Sequence, residues 1–120
     1  SEWAHVPAST IQAIKTAQMK GHRVWALGTT SVRAIESWAQ KKLEAQKNGD
    51  FIGDTNLFIQ PGYEFKICSG LLTNFHQPAS TLLALVSAFA GQEQVMRAYK
   101  YAISNNFRLF SYGDLSVWTL

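Results

Sequence analysis

Ten residues near the middle of the chain, Leu72 to Thr81, constrain the fold more than any other stretch. Leu71, Leu72 and Thr73 suit a buried strand. Asn74, His76 and Gln77 then bring polar groups to that strand's carboxyl end. Pro78 has no N–H for a sheet ladder and disfavours helix at Gln77, so the strand gives way to a loop there. Ser80 can cap a helix from Thr81 to Ala90, which Gly91 ends. Strand, polar loop and capped helix in that order form the unit of an open α/β sheet, where ligands sit outside the carboxyl ends of strands. The same polar residues can equally serve only the loop's own backbone.

A second stretch has the same form. Arg23-Val24-Trp25-Ala26-Leu27 reads as a buried strand. Gly28-Thr29-Thr30-Ser31 follows it and opens a helix expected to run from Val32 to about Lys47, with Ile35, Trp38, Ala39 and Leu43 on its apolar face and Arg33 and Glu36 on the others. Gly28 permits a tight turn and close approach of a ligand to the backbone. The hydroxyls and the free N–H groups of the first turn favour an anion, a phosphate or a carboxylate; an N-cap with no ligand is the alternative. The stretch is not a Walker phosphate loop, because the Gly-Lys pair is missing. One glycine does not make a dinucleotide fingerprint either.

The remaining segments fill in an α/β pattern. Pro7 suits the first turn of a helix that carries Ile11, Ile14 and Ala17 and ends at Gly21. Asn48 to Asn56 reads as a turn-rich connection, Leu57-Phe58-Ile59 as a short strand, and Gln60-Pro61-Gly62-Tyr63 as a type II turn. Glu64 to Ile67 alternates like a strand. A helix from Gln92 to about Asn105 carries Val95, Met96, Tyr99, Ala102 and Ile103 as its apolar stripe, and the Asn105-Asn106 pair can supply a left-handed terminus. Phe107 to Phe110 reads as a strand, Ser111 to Asp114 as a polar break, and Leu115 to Leu120 as a last strand or tail. Strands alternating with helices predict an α/β fold with a layered, partly parallel sheet.

Composition excludes several classes. At 120 residues the chain is one domain or part of one. With 47% hydrophobic residues it is not disordered. The longest nearly apolar run, Leu82 to Ala90, is far shorter than the roughly 20 residues of a membrane span. A single cysteine, Cys68, excludes an internal disulfide and a Cys-rich zinc site, and fits a reducing compartment. The net charge of +3 permits a polyanionic partner without demanding one.

Three polar stretches follow apolar strands: Gly28–Ser31, Asn74–His76 and Ser111–Asp114. Parallel neighbouring strands would gather Thr29, Thr30, Arg33, Asn74, His76, Tyr112 and Asp114 in one crevice. His76 can act as a general acid or base near neutral pH, and Asp114 can orient it or accept from a hydroxyl or amine. No nucleophile–His–Asp order and no metal-ligand spacing identifies a reaction.

Several blocks nevertheless resemble a known family in family order. Gly28-Thr29-Thr30-Ser31-Val32-Arg33 with Glu36-Ser37 resembles the GTTSVR…ES signature of the S-adenosylmethionine:tRNA ribosyltransferase-isomerases of queuosine biosynthesis. Phe58 to Lys66 is similar to that family's FIYPGYEFK, and Leu72 to Leu82 to its TNFHLPxSTL. Leu85 to Gly91, Ala98-Tyr99-Lys100 and Phe110 to Asp114 match further blocks, and Ser1-Glu2-Trp3 fits an HSE segment. The departures are small: Gln60 where Tyr is usual, Gln77 where Leu is usual, and the ending from Leu115 to Leu120.

The resemblance implies a larger enzyme. Residues 1–120 would be the C-terminal portion of an α/β domain, Ser1 a cut end, with the N-terminal part and an inserted β-barrel domain absent. The implied cytoplasmic enzyme moves the ribosyl group of S-adenosylmethionine onto 7-aminomethyl-7-deazaguanine in the tRNA anticodon and isomerises it, giving epoxyqueuosine, with no metal. A base must remove a proton beside the sulfonium; His76 is the first candidate and Asp114 the second. Within the matching blocks, substrate-binding candidates are Gly28, Thr29, Thr30, Ser31, Arg33, Pro61, Gly62, Tyr63, Thr73, Asn74 and Tyr112. The isolated portion is expected to be inactive and to self-associate through apolar surface exposed by the cut. The alternative is a catalytically silent module that binds a nucleoside or RNA.

Overall fold

The computed structural model describes residues 2–74, 81–107 and 115–120, with the backbone alone at 81 and 82. In order, the elements are β1 (Glu2–Val6), α1 (Ala8–Met19), β2 (Val24–Leu27), α2 (Thr29–Ala39), β3 (Glu44–Ala45), β4 (Phe51–Thr55), β5 (Cys68–Asn74), α3 (Thr81–Ala90), α4 (Gln92–Ser104) and β6 (Leu115–Thr119). The expected α/β fold is present, its strands divided between two three-stranded sheets. The first has the order β1-β4-β3 and is antiparallel; the second has the order β2-β5-β6. In the second, β2 runs parallel to β5 and β6 antiparallel to it. The expected parallel pairing is therefore present, in the pair that carries the two polar stretches.

Register explains which face of the second sheet is buried. Ala26 pairs with Leu71 and Leu71 with Trp118, and paired residues share a face. This row packs with Val32 of α2, Leu85, Val86 and Phe89 of α3, and Val95 and Tyr99 of α4. The next row, Leu27–Leu72–Val117, lies on the opposite face. There Leu27 is 74% exposed, and Val117 and Leu115 are each 56% exposed. The second sheet thus buries one apolar face and leaves the other open. Gly70 has no Cβ for a spatial reason: one would lie 2.4 Å from the Trp25 indole.

Helix α2 serves both sheets. Val32 and Ile35 pack in the core of the second, while Ala34 and Trp38 pack with Ala4, Val6, Ile11 and Leu43 beside the first. It ends at Ala39, well before the expected Lys47. Lys41 adopts φ 61°, its N–H bonds to the Trp38 carbonyl, and the Lys42 N–H bonds to the Ser37 carbonyl. This Schellman closure turns the chain toward β3. Helix α1 closes the same way at Gly21, and α4 at Asn106, as the Asn pair suggested.

Three other expectations fail. Asn48–Asn56 is not all turn, because Phe51–Thr55 is the central strand of the first sheet; pairing with β1 on one side and β3 on the other outweighs the turn-forming residues Gly53 and Asp54. Leu57–Ile59 forms no strand, although Ile59 is buried. Glu64–Ile67 forms none either, because the N–H groups of Lys66 and Ile67 bond to the Glu36 carboxylate instead of to a neighbouring strand. The strand expected at Phe107–Phe110 is absent at Phe107, and its remainder lies outside the described residues.

The start of α1 is capped from a distance. Pro7 offers no capping side chain, and Asp50, just before β4, accepts the Ala8 N–H at 2.7 Å. His5 Nε2 lies 2.8 Å from the other Asp50 oxygen. The Ala8 N–H bond, then His5, hold the Asp50 carboxyl below its ordinary pKa.

Candidate functional site

The parallel pair brings Gly28, the start of one polar stretch, beside β5, which ends at Asn74, the first residue of another. Gly28 leaves β2 with φ 91° and ψ 152°, backbone angles that only glycine adopts readily, and its N–H bonds to the Leu72 carbonyl at 2.8 Å. This extends the β2–β5 ladder by one rung. The chain then turns directly into α2, with Thr29, Thr30 and Ser31 as its first turn. Its N-cap, Gly28, has no side chain to cap it, and no acidic residue lies in its first turn. The leading N–H groups of an α-helix have no acceptor within the helix, and its dipole favours negative charge there. Thr30 is exposed, Thr29 and Ser31 are partly so, and the half-buried Arg33 follows one turn on. Among the described residues Arg33 makes no ion pair.

Asn74 closes β5 at the same end of the sheet. It is half-buried and pairs with Leu115, the first described residue after Asp114. Thr73 lies in the core-facing row with Ser116, and its carbonyl accepts the Ser116 hydroxyl at 2.6 Å. Ser116 in turn accepts the Trp118 indole N–H at 2.8 Å. The junction of β5 and β6 beside Asn74 is therefore tied by side chains as well as by the ladder. His76, Tyr112 and Asp114 lie outside the described residues.

Pro61, Gly62 and Tyr63 form the expected turn, closed by the Tyr63 N–H on the Gln60 carbonyl at 3.0 Å with Gly62 at φ 99°. The structure holds the Tyr63 hydroxyl elsewhere than the Gly28–Asn74 end. That hydroxyl donates to Glu36 Oε1 at 2.9 Å and accepts from the Gln40 amide. The same carboxylate accepts the Lys66 N–H at 2.8 Å, the Ile67 N–H at 2.9 Å and the Cys68 N–H at 3.0 Å. Cys68 begins β5, about 20 Å from Asn74 at strand rise. Tyr63 therefore reaches the amino end of the strand whose carboxyl end carries Asn74.

Glu36 is the residue that reading the sequence missed. A charged residue in this helix suggests a polar face, yet Glu36 is fully buried, as is Ser37 beside it. The signal was there in the spacing. Glu36 falls four residues after Val32, on the stripe that faces the core. Burial, reinforced by the Glu36 charge, raises the Cys68 thiol to about 12 and pushes the Tyr63 phenol upward as well. Both groups therefore keep their protons at neutral pH. Ser37 bonds to the Thr55 hydroxyl at 2.6 Å, so adjacent residues of α2 hold the two sheets. Phe65 of the same loop stacks on Phe89 of α3 with ring centroids 4.0 Å apart.

Chemically, one end of the β2–β5 pair offers the first-turn N–H groups of α2, three hydroxyls, a guanidinium that makes no ion pair among the described residues, and an asparagine. That set suits a polar, negatively charged group. Among the described residues no group of three or more His, Cys, Asp and Glu side chains converges as a metal site would require, and no helix is long and apolar enough to cross a membrane.

A family model described as queuosine biosynthesis protein matches residues 1–117. Among solved structures, an S-adenosylmethionine tRNA ribosyltransferase from Thermotoga maritima is similar with a TM-score of 0.86 and 41% sequence identity. The match covers 96% of this chain and 39% of that one. The chain thus spans well under half the length of the protein it resembles.

Proposed function

The chain belongs to the queuosine biosynthesis protein family, and from that premise we propose that it serves as the C-terminal portion of the α/β domain in a longer S-adenosylmethionine:tRNA ribosyltransferase-isomerase. The proposed reaction transfers the ribosyl group of S-adenosylmethionine to 7-aminomethyl-7-deazaguanine in a tRNA anticodon and isomerises it to the epoxycyclopentane of epoxyqueuosine. Adenine and methionine leave. S-adenosylmethionine acts as the ribosyl donor, no metal takes part, and the setting is cytoplasmic.

The observation that carries this reading is the Gly28 N–H bond to Leu72, which joins the start of α2 to the strand end at Asn74. The first-turn N–H groups and hydroxyls of Thr29, Thr30 and Ser31 bind an anionic group. Arg33 is available for the methionine carboxylate or a tRNA phosphate, and Asn74 for a ribose hydroxyl or that carboxylate. His76 is the first candidate for the base that takes the proton beside the sulfonium, with Asp114 second and Tyr112 a binding residue. Pro61, Gly62 and Tyr63 form a second contact region.

A second reading is that the chain by itself is a catalytically silent module that self-associates. The open apolar row Leu27–Leu72–Val117 favours it. Sedimentation of the chain against concentration tests it; a monomer at all concentrations rejects it.

Titrating labelled S-adenosylmethionine against the full-length protein, its Gly28→Ala variant and this chain alone tests the principal reading. Binding to the full-length protein and weaker binding to Gly28→Ala are expected. An added methyl at Gly28 meets nothing within 4 Å among the described residues, and the strain of its φ costs about 1–3 kcal/mol. No binding by the full-length protein rejects the assignment.

A further inference from the structure

We propose that Glu36 is a positioning residue that sets the start of α2 against the end of β5. The inference rests on the function proposed above and adds a residue to it. Helix α2 is fastened to β5 at two points. At its beginning, the Gly28 N–H bonds to the Leu72 carbonyl at 2.8 Å. Eight residues later, the Glu36 carboxylate takes the Cys68 N–H at 3.0 Å. Eight helical residues span about 12 Å. The four strand residues from Cys68 to Leu72 span about 13 Å. The two spans match, so helix and strand lie side by side with both ends pinned, and the helix is fixed in axial position.

The lower fastening is broader than one hydrogen bond. Both carboxylate oxygens are used: Oε1 takes the Tyr63 hydroxyl and the Lys66 N–H, and Oε2 takes the Ile67 and Cys68 N–H groups. All four partners are donors, so only an acceptor-only group answers them all. A glutamine of the same shape turns two N–H donors toward other donors. The helix then shifts or rotates about its remaining attachment to β5 at Gly28. Thr29, Thr30 and Arg33 move with it relative to Asn74.

Ser37 supplies the control. It is as buried as Glu36 and bonds to Thr55 of the other sheet, with no bond to β5. Loss of its hydroxyl weakens the packing of α2 without releasing the β5 fastening. The test uses the full-length protein with Glu36→Gln, Glu36→Asp and Ser37→Ala, measuring melting temperature, S-adenosylmethionine affinity and turnover. In folded Glu36→Gln, turnover is expected to fall about 10²-fold, as for a displacement near 1 Å in a distant support. Ser37→Ala is expected to melt lower yet turn over at the wild-type rate. Glu36→Asp, which keeps an acceptor-only group one methylene short, is expected to fall between and is read in place of Glu36→Gln should the latter not fold. Wild-type turnover in a folded Glu36 variant overturns the proposal, as does an equal loss in Ser37→Ala. Failure of the unsubstituted protein to bind S-adenosylmethionine rejects instead the function on which the proposal rests.

Discussion

The Tyr63 hydroxyl donates to Glu36 Oε1 at 2.9 Å, joining a loop to a helix 27 residues away in sequence. A hydrogen bond to a charged acceptor contributes about 1.5–3 kcal/mol. Tyr63 is only partly buried, so Tyr63→Phe is expected to cost about 1–2 kcal/mol, read as a lower urea midpoint at unchanged slope. The three N–H bonds to Glu36 remain. A stability loss with unaltered S-adenosylmethionine binding assigns the hydroxyl to Glu36. A binding loss at normal stability instead assigns Tyr63 a direct contact with substrate.

Lys41 occupies the left-handed position that closes α2, at φ 61°. A side chain with a Cβ pays about 1–2 kcal/mol in that conformation. Lys41→Gly is therefore expected to stabilise the protein by about 1 kcal/mol, since glycine's greater unfolded-state entropy offsets part of the gain. A raised melting temperature with an unchanged helix signal in circular dichroism confirms the closure. A lowered one shows that the Lys41 side chain makes a contribution larger than the strain.

Much of the second sheet was legible because its signals are local. Leu71–Thr73 and Val24–Leu27 are short apolar runs ending at polar residues, Gly21 and Gly91 end helices as expected, and Asn106 takes the left-handed position the Asn pair suggests. The first sheet was not legible, because Phe51–Thr55 becomes a strand only through partners from the chain's beginning and from Glu44–Ala45. The end of α2 was missed because a lysine, not a glycine, takes the left-handed position. The site was half legible. The adjacency of Gly28 and Leu72 follows from two strand ends and a parallel pairing, which periodicity suggests. The burial of Glu36 depends on donors from Tyr63 and Lys66–Cys68, far along the chain, and a charged residue on a helix ordinarily signals solvent.

The Cys68 thiol gives the protein an alkaline limit. Burial raises its pKa from the ordinary 9.0 to about 12 in the folded state. As pH rises past 9.0 the unfolded chain releases this proton while the folded chain keeps it, so the unfolded state gains relative free energy. The stability associated with the protonated thiol is complete below about pH 9.0 and is lost progressively toward pH 12. Tyr63 adds a loss of the same sign only above its ordinary 10.0, so the interval between the two ordinary values isolates Cys68. Urea midpoints are expected to decline through that interval in the wild type and to stay flatter in Cys68→Ala. Parallel declines in the two proteins would show that the thiol does not set the limit.

The base assignment is decided by two substitutions at His76 in the full-length protein. His76 follows Asn74 by two residues in sequence, and Asn74 ends the strand that receives the Gly28 N–H at Leu72. A neutral imidazole takes a proton from the carbon beside a sulfonium, whose positive charge acidifies that position. Loss of a general base lowers rate by roughly 10²–10⁴-fold. His76→Ala is therefore expected to lower turnover by that order while S-adenosylmethionine affinity stays near wild type. His76→Asn keeps a polar planar group of similar reach but cannot accept the proton, so it is expected to be equally slow. A structural histidine produces the opposite pattern, with His76→Asn active and His76→Ala losing stability and binding together. Turnover, ligand affinity and melting temperature of the two variants separate these cases. Near-normal turnover in a folded His76→Asn protein removes His76 as the base and makes Asp114→Asn the next variant to measure.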